Sequence, residues 1–151
     1  FTCLNPYRIK ITGRTKHFIN VFGEELVIEN AEKALSLTSE LTKSSISDYT
    51  VGPVFMGSKT KGSHEWLIEF DKQPNDLNKF MEILDLNLQS LNSDYEAKRY
   101  KSSTLELPIL VVARKNLFYD WLSSKNKLGG QNKIPRLSNS REFIEELISM
   151  N

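Results

Sequence analysis

Lys133 is the residue whose type and setting come nearest to chemistry in this chain. It lies in Gly129–Gly130–Gln131–Asn132–Lys133–Ile134–Pro135–Arg136–Leu137, between two amphipathic stretches. Adjacent glycines open backbone angles closed to other residues, while Pro135 fixes its own φ and pushes Ile134 toward an extended form. A lysine held between a pliable turn and a stiffened exit is a mobile cation on a defined stalk, suited to a phosphate or a developing oxyanion. The same stretch also reads as an ordinary helix–helix connection whose lysine faces water. Arg14, Lys16 and His17 crowd the turn Gly13–His17 and offer a second phosphate contact, or simply a solvated polar loop. Gly57–Ser58–Lys59–Thr60–Lys61–Gly62 lacks P-loop spacing and precedes no helix, so it reads as a surface turn.

Other chemistries lack their residues. There is no Gly-x-Ser-x-Gly elbow, no His-Glu-x-x-His and no Walker loop. One cysteine and two histidines do not make a structural zinc site. His64 sits at the end of a strand on its inward side, the place of a structural histidine. The acidic residues fall mostly on solvent faces of helices and strands, and no carboxylate pair stands out. On motifs alone, this is a domain that assists chemistry completed elsewhere.

Hydrophobic periodicity supplies the elements that would position the loop. Tyr7–Ile11 alternates with Tyr7, Ile9 and Ile11 on one face, and Phe18–Phe22 returns as its hairpin partner, closed by Gly23. Ile28 to Leu41 reads as a helix with Ile28, Ala31, Leu35 and Leu41 on one face and Asn30 near its cap. Tyr49–Val51 and Val54–Met56 make a strand broken at Gly52–Pro53. His64–Phe70 alternates with Trp66, Ile68 and Phe70 inward and Glu65 and Glu69 outward. Leu77, Phe80, Met81, Leu84, Leu88 and Leu91 form the clearest helical stripe, and Ser93–Tyr100 a short helix after it. Leu107–Ala113 is a continuous apolar run that predicts a strand buried on both faces. Leu117, Phe118, Trp121 and Leu122 form a short helix ended by Gly129–Gly130. Asn139 and Glu142 resemble a capping box before the last stripe, Phe143, Ile144, Leu147 and Ile148. The expected architecture is α+β: a mixed β-sheet flanked by helices, with an N-terminal β-hairpin.

A chain of 151 residues is most simply one domain with a real core. Hydrophobic content of 39% and charged content of 26% exclude disorder. A net charge of +1 argues against a dedicated nucleic-acid binder. A single cysteine, Cys3, cannot form an internal disulfide and favours a reducing cytoplasm. No apolar run reaches membrane-spanning length and no signal peptide is recognisable, so no membrane partner is expected. The chain begins at Phe1, in the middle of a strand pattern, as trimming of a few residues or a domain cut from a longer protein would leave it.

The run from Tyr7 to Leu35, with Gly13–His17 and Gly23–Glu24–Glu25–Leu26, resembles the opening of the C-terminal lobe in adenylate-forming enzymes. Asp94–Arg99, Phe118–Leu122 and Gly130–Arg136 are similar to the C-terminal domain of the acyl-acid amido synthetases, the auxin-responsive promoter (Gretchen Hagen) family of plants and its bacterial relatives. The plant motif Gln-x-Lys-x-Pro-Arg is matched by Gln131, Lys133, Pro135 and Arg136. The pattern around Phe18 to Glu25 departs from the plant one, which places the resemblance nearer the bacterial branch.

The resemblance implies a two-step ligase: a carboxylic acid and ATP, with magnesium, give an acyl-adenylate, and an amine such as an amino acid then displaces AMP. It implies that residues 1–151 are the C-terminal lid domain, with the N-terminal adenylation domain that binds ATP and acid outside this chain. It assigns Lys133 as the catalytic lysine, in the Lys-x-x-Arg setting that Arg136 completes, although Asn132 stands where a glycine is common. Arg14 and Arg136 become candidate nucleotide contacts, and the lid alone is expected to be inactive and to hold no ligand. The rival reading is a free-standing ferredoxin-like regulatory or RNA-binding module, whose sheet would expose its aromatics rather than bury Trp66 and Phe70.

Overall fold

The computed structural model describes residues 3–4, 7–8, 18–57, 60–102, 104–127, 129 and 133–151. Its framework is the three-stranded sheet β5 (Ser45–Val54), β6 (Ser63–Lys72) and β7 (Ile109–Ala113), with β6 in the middle. β5 and β6 pair antiparallel, as a hairpin allows; β6 and β7 run parallel, which requires a crossover. That crossover is α2 (Leu77–Leu91) followed by α3 (Ser93–Arg99). α2 starts where the Asp76 side chain accepts the Lys79 N–H at 3.0 Å. Asn92 ends α2 and starts α3, its side chain accepting the Tyr95 N–H at 2.8 Å.

The sheet is covered on both faces. One core joins Trp66, Ile68, Tyr49 and Val51 to α2 and to α1 (Ile28–Thr42). The other joins Leu67 to α4 (Leu117–Ser124) and α5 (Glu142–Met150) through Leu117, Trp121, Ile144 and Leu147. Neighbours Trp66, Leu67 and Ile68 are each wholly buried, as a central strand between two helix layers requires. The expected α+β architecture is present, and an RNA-type sheet with open aromatics is not: Trp66 is in the core. Among the described residues no helix is long and apolar enough to cross a membrane.

Several local expectations change. β3 (Phe18–Ile19) pairs with β4 (Leu26–Val27), while β1 (Cys3–Leu4) pairs with β2 (Tyr7–Arg8). The predicted pairing of Tyr7–Ile11 with Phe18–Phe22 is therefore replaced; residues 9–17 lie outside the described ones. The observed pairing brings Ile19 and Leu26 together in the core, both wholly buried. β5 runs unbroken through Gly52–Pro53. Val51 points its N–H and C=O to the outer edge of the sheet, so the missing N–H of Pro53, two residues on, falls on that edge too. β7 is an edge strand rather than one buried on both faces, with Ile109 44% exposed. Leu41 is exposed; Ala34 and Thr38 complete the buried face of α1. Asn30 caps nothing and instead donates to the Leu91 carbonyl at 3.1 Å. α4 ends at Ser124, before the glycines. Asn139 makes no capping box either, for reasons that bear on the site.

Candidate functional site

The loop that carries Lys133 is clamped on its C-terminal side. Gly129 has φ +89°, in the left-handed region that glycine tolerates. Residues 130–132, Gln131 among them, lie outside the described ones. Lys133 is exposed, and its ammonium has no partner among the described residues. From the next residue the chain is held fast. Ile134 is buried against α4 and α5, and Leu137 is wholly buried in the opposite core. Thr50 Oγ1 donates to the Pro135 carbonyl at 2.7 Å. The Val51 N–H donates to the Arg136 carbonyl at 2.9 Å, and the Ser138 N–H to the Val51 carbonyl at 3.1 Å. Residues 136–138 thereby add one parallel bridge to the free edge of β5.

Two side chains extend this grip. Asn139 accepts the Asn20 N–H at 2.8 Å and donates to the Phe18 carbonyl at 3.1 Å, tying the loop's exit to β3. Arg141 donates to the Pro53 carbonyl at 3.0 Å and to Glu65 at 2.7 Å, seating the start of α5 on the sheet. The lysine therefore stands at the last free position before a clamped segment.

Arg136 forms an ion pair with Asp48, donates to the Tyr49 carbonyl at 3.2 Å and stacks over the Tyr49 ring at 4.7 Å. Its hydrogen bonds to Asp48 and Tyr49 both use Nη1. Burial pushes the Asp48 carboxyl above its ordinary value, with the Arg136 charge pulling the other way. Burial also pushes the Tyr49 hydroxyl far up, so it stays protonated. Arg14, Lys16 and His17 lie outside the described residues, and the structure does not relate them to Lys133.

The sequence pattern places most acids on solvent faces and Glu69 outward; Glu69 is buried instead, as are Glu24 and Asp85. Asp85 accepts from Arg99 at 2.7 and 2.9 Å and from the Tyr95 hydroxyl at 2.8 Å. Glu24 meets His64 Nε2 at 2.9 Å, both side chains wholly buried. His64 is structural, as its position predicted. Asp85 did carry a signal: it occupies a stripe position between Leu84 and Leu88. Glu24 gave none.

A cavity of about 450 Å³ lies between α2 and β7, lined by Leu77, Met81, Leu107, Leu110 and Val112, with Glu82 its charged group. No cation lines it, and it does not bring the predicted site residues together. The donor set at the loop is cationic N–H, which fits phosphate oxygens and does not fit Mg²⁺.

The chain is similar in fold to the AtGH3.15 acyl acid amido synthetase solved in complex with 2,4-DB, with TM-score 0.70 and 17% identity over 91% of this chain. It is equally similar to a second solved GH3.15 acyl acid amido synthetase, with TM-score 0.71, 17% identity and the same coverage. It spans 26% and 27% of the length of those two proteins. A sequence search of curated proteins finds no match. The family model for the GH3 family C-terminal domain matches residues 29–142, from the first turn of α1 to the start of α5 and across the whole Lys133 loop. This chain therefore belongs to the GH3 family and carries that family's C-terminal domain.

Proposed function

We propose that this domain is the mobile lid of an acyl-acid amido synthetase of the bacterial branch, working with an N-terminal adenylation domain of the same protein in the cytoplasm. The single observation that carries the proposal is the exposed Lys133, with no partner among the described residues, standing directly before a segment clamped to β5. In the first step a carboxylate oxygen attacks the α-phosphorus of ATP and the bond to pyrophosphate breaks. Negative charge gathers at the α-phosphorus, and a cation delivered by a closing lid stabilises that transition state more than the ground state. Closure also keeps water from the hydrolysable acyl-adenylate. Magnesium would come with the phosphates of ATP and the larger domain, which suits a lid that offers cations.

In the second step the nitrogen of an amine, such as an amino acid, attacks the acyl carbon; AMP leaves and the nitrogen gives up a proton. The lid then presents another face, that of Arg14 to Gly23. Asn139 joins the two faces physically, since it ties the loop's exit to Phe18 and Asn20. Arg14 and Arg136 are proposed as auxiliary nucleotide contacts. For Arg136 the contact falls to Nε and Nη2, because Nη1 already serves Asp48 and Tyr49.

The test is a pair of single-turnover measurements on the full-length protein. Lys133→Ala is expected to slow adenylation roughly 10²-fold or more, the scale of losing one preorganised electrostatic stabiliser. Amide formation from pre-made acyl-adenylate should change little. Equal losses in both steps would reduce Lys133 to a docking contact, and no loss in either would end the reading. The isolated domain should release no acid-dependent pyrophosphate from ATP above a denatured control.

A further inference from the structure

We propose that Asp48 is a positioning residue for Lys133, acting through Arg136; the proposal rests on the adenylation reading of Lys133. Asp48 is 85 positions away in sequence and would not be suspected from the loop's own motif. What brings it there is an irregularity in β5. Ile46 pairs with Phe70 and Asp48 with Glu69, so Ser47 is an extra residue opposite a single step of β6. Ile46 and Tyr49 both pack into the α1–α2 core although they are three residues apart, which strict alternation forbids. The bulge at Ser47 changes the face on which each following residue lies. Without it Asp48 would share the apolar side of Ile46. With it Asp48, Thr50 and Gly52 line the face toward α5, where Gly52 meets Ile144 and Thr50 meets the Pro135 carbonyl.

Asp48 and Thr50 thus grip consecutive residues of the loop, Arg136 by its side chain and Pro135 by its backbone. A one-residue slip of the loop along β5 would break both contacts and the Val51 bridge together. It would also move Lys133 by a residue's length, and misplacement of a charge by an ångström is enough to weaken transition-state stabilisation severely. The bulge is held in turn by Ser47 Oγ, which donates to the Glu69 carbonyl at 3.2 Å. Arg136 then has two duties from one position: it locks the register through Nη1 and leaves Nε and Nη2 toward a ligand.

The experiment uses Asp48→Asn, which keeps the shape and removes the charge, in the full-length protein. Amide exchange at Val51 and Ser138 is expected to speed at least tenfold, because the bridge they form loses its neighbour. Adenylation is expected to slow about tenfold, with amide formation from acyl-adenylate unchanged. In a Lys133→Ala background the same substitution should cost less than twofold, since the residue it positions is gone. Unchanged exchange at both amides would overturn the latch. A full tenfold further loss in the Lys133→Ala background would overturn the route through Lys133, leaving Asp48 to act through the Arg136 contact or the scaffold alone. If Lys133→Ala alone leaves adenylation intact, the lid chemistry fails instead, and the exchange data tell the two failures apart.

Discussion

Two aspartate–arginine pairs in this domain are built to different ends. Asp85 and Arg99 sit under the crossover, 5% and 11% exposed, joined by two hydrogen bonds. Their remaining capacity is used by the Tyr95 hydroxyl, by Gln89 at 2.8 Å and by the Leu105 carbonyl at 2.9 Å. Asp48 and Arg136 sit at the sheet edge, 33% and 31% exposed, and meet through Nη1 alone. The first pair is saturated and closed. The second is left part-open beside a lysine with no partner among the described residues. The residue types are the same; what separates the scaffold pair from the pair at the proposed site is how many of the guanidinium's donors the described residues consume.

The strongest way to break this comparison is to remove one partner from each pair. Arg99→Met leaves Asp85 and Tyr95 buried without their cation, and urea denaturation should register a loss of about 3–5 kcal/mol. Arg136→Met at the edge should cost no more than about 1 kcal/mol, because water and salt already screen that pair. Equal losses at both sites would erase the distinction. Between these lies Gly52→Ala, which would place a Cβ 2.9 Å from Ile144 Cγ2 in the seam between β5 and α5. Overpacking of this kind costs about 1–3 kcal/mol. It should also disturb the Lys133 loop, because α5 and the loop share the same strand. A stability loss without faster exchange at Ser138 would show the seam and the latch to be independent.

The scaffold was far more legible in the sequence than the site. The α2 stripe is local, so Leu77–Leu91 could be read with its boundaries correct. The Lys133 loop could be singled out by its glycines, proline and cation, and by the motif it resembles. Its docking could not, because Thr50, Val51 and Asp48 reach it across more than eighty residues and one bulge. Pro53 misled for a related reason: a proline breaks a strand only on a hydrogen-bonded side, and which side that is depends on pairing. Glu24 and His64 are forty residues apart, and nothing in either neighbourhood announces the other.

The smallest expected effect is a pH dependence whose sign differs between the two regions. Burial by itself would raise the Glu24 carboxyl. The His64 hydrogen bond and charge, with N–H groups including that of Phe22 at 2.7 Å, outweigh it and hold the carboxyl below its ordinary value. Unfolded Glu24 therefore binds a proton more readily than folded Glu24. The stability it contributes is complete above the unfolded carboxylate value of about 4.3 and is lost as pH falls through the lower folded value. Asp48 runs the other way. Burial raises its carboxyl, so the folded form holds a proton more readily and gains relative stability as pH falls through that raised value. Urea midpoints between pH 7 and pH 3 should then show Glu24→Gln flattening the acid loss of stability and Asp48→Asn steepening it. A shift of both slopes in the same direction would mean that the buried pair and the edge latch are one electrostatic environment. The comparison between a closed scaffold and an open site would then fail at its physical root.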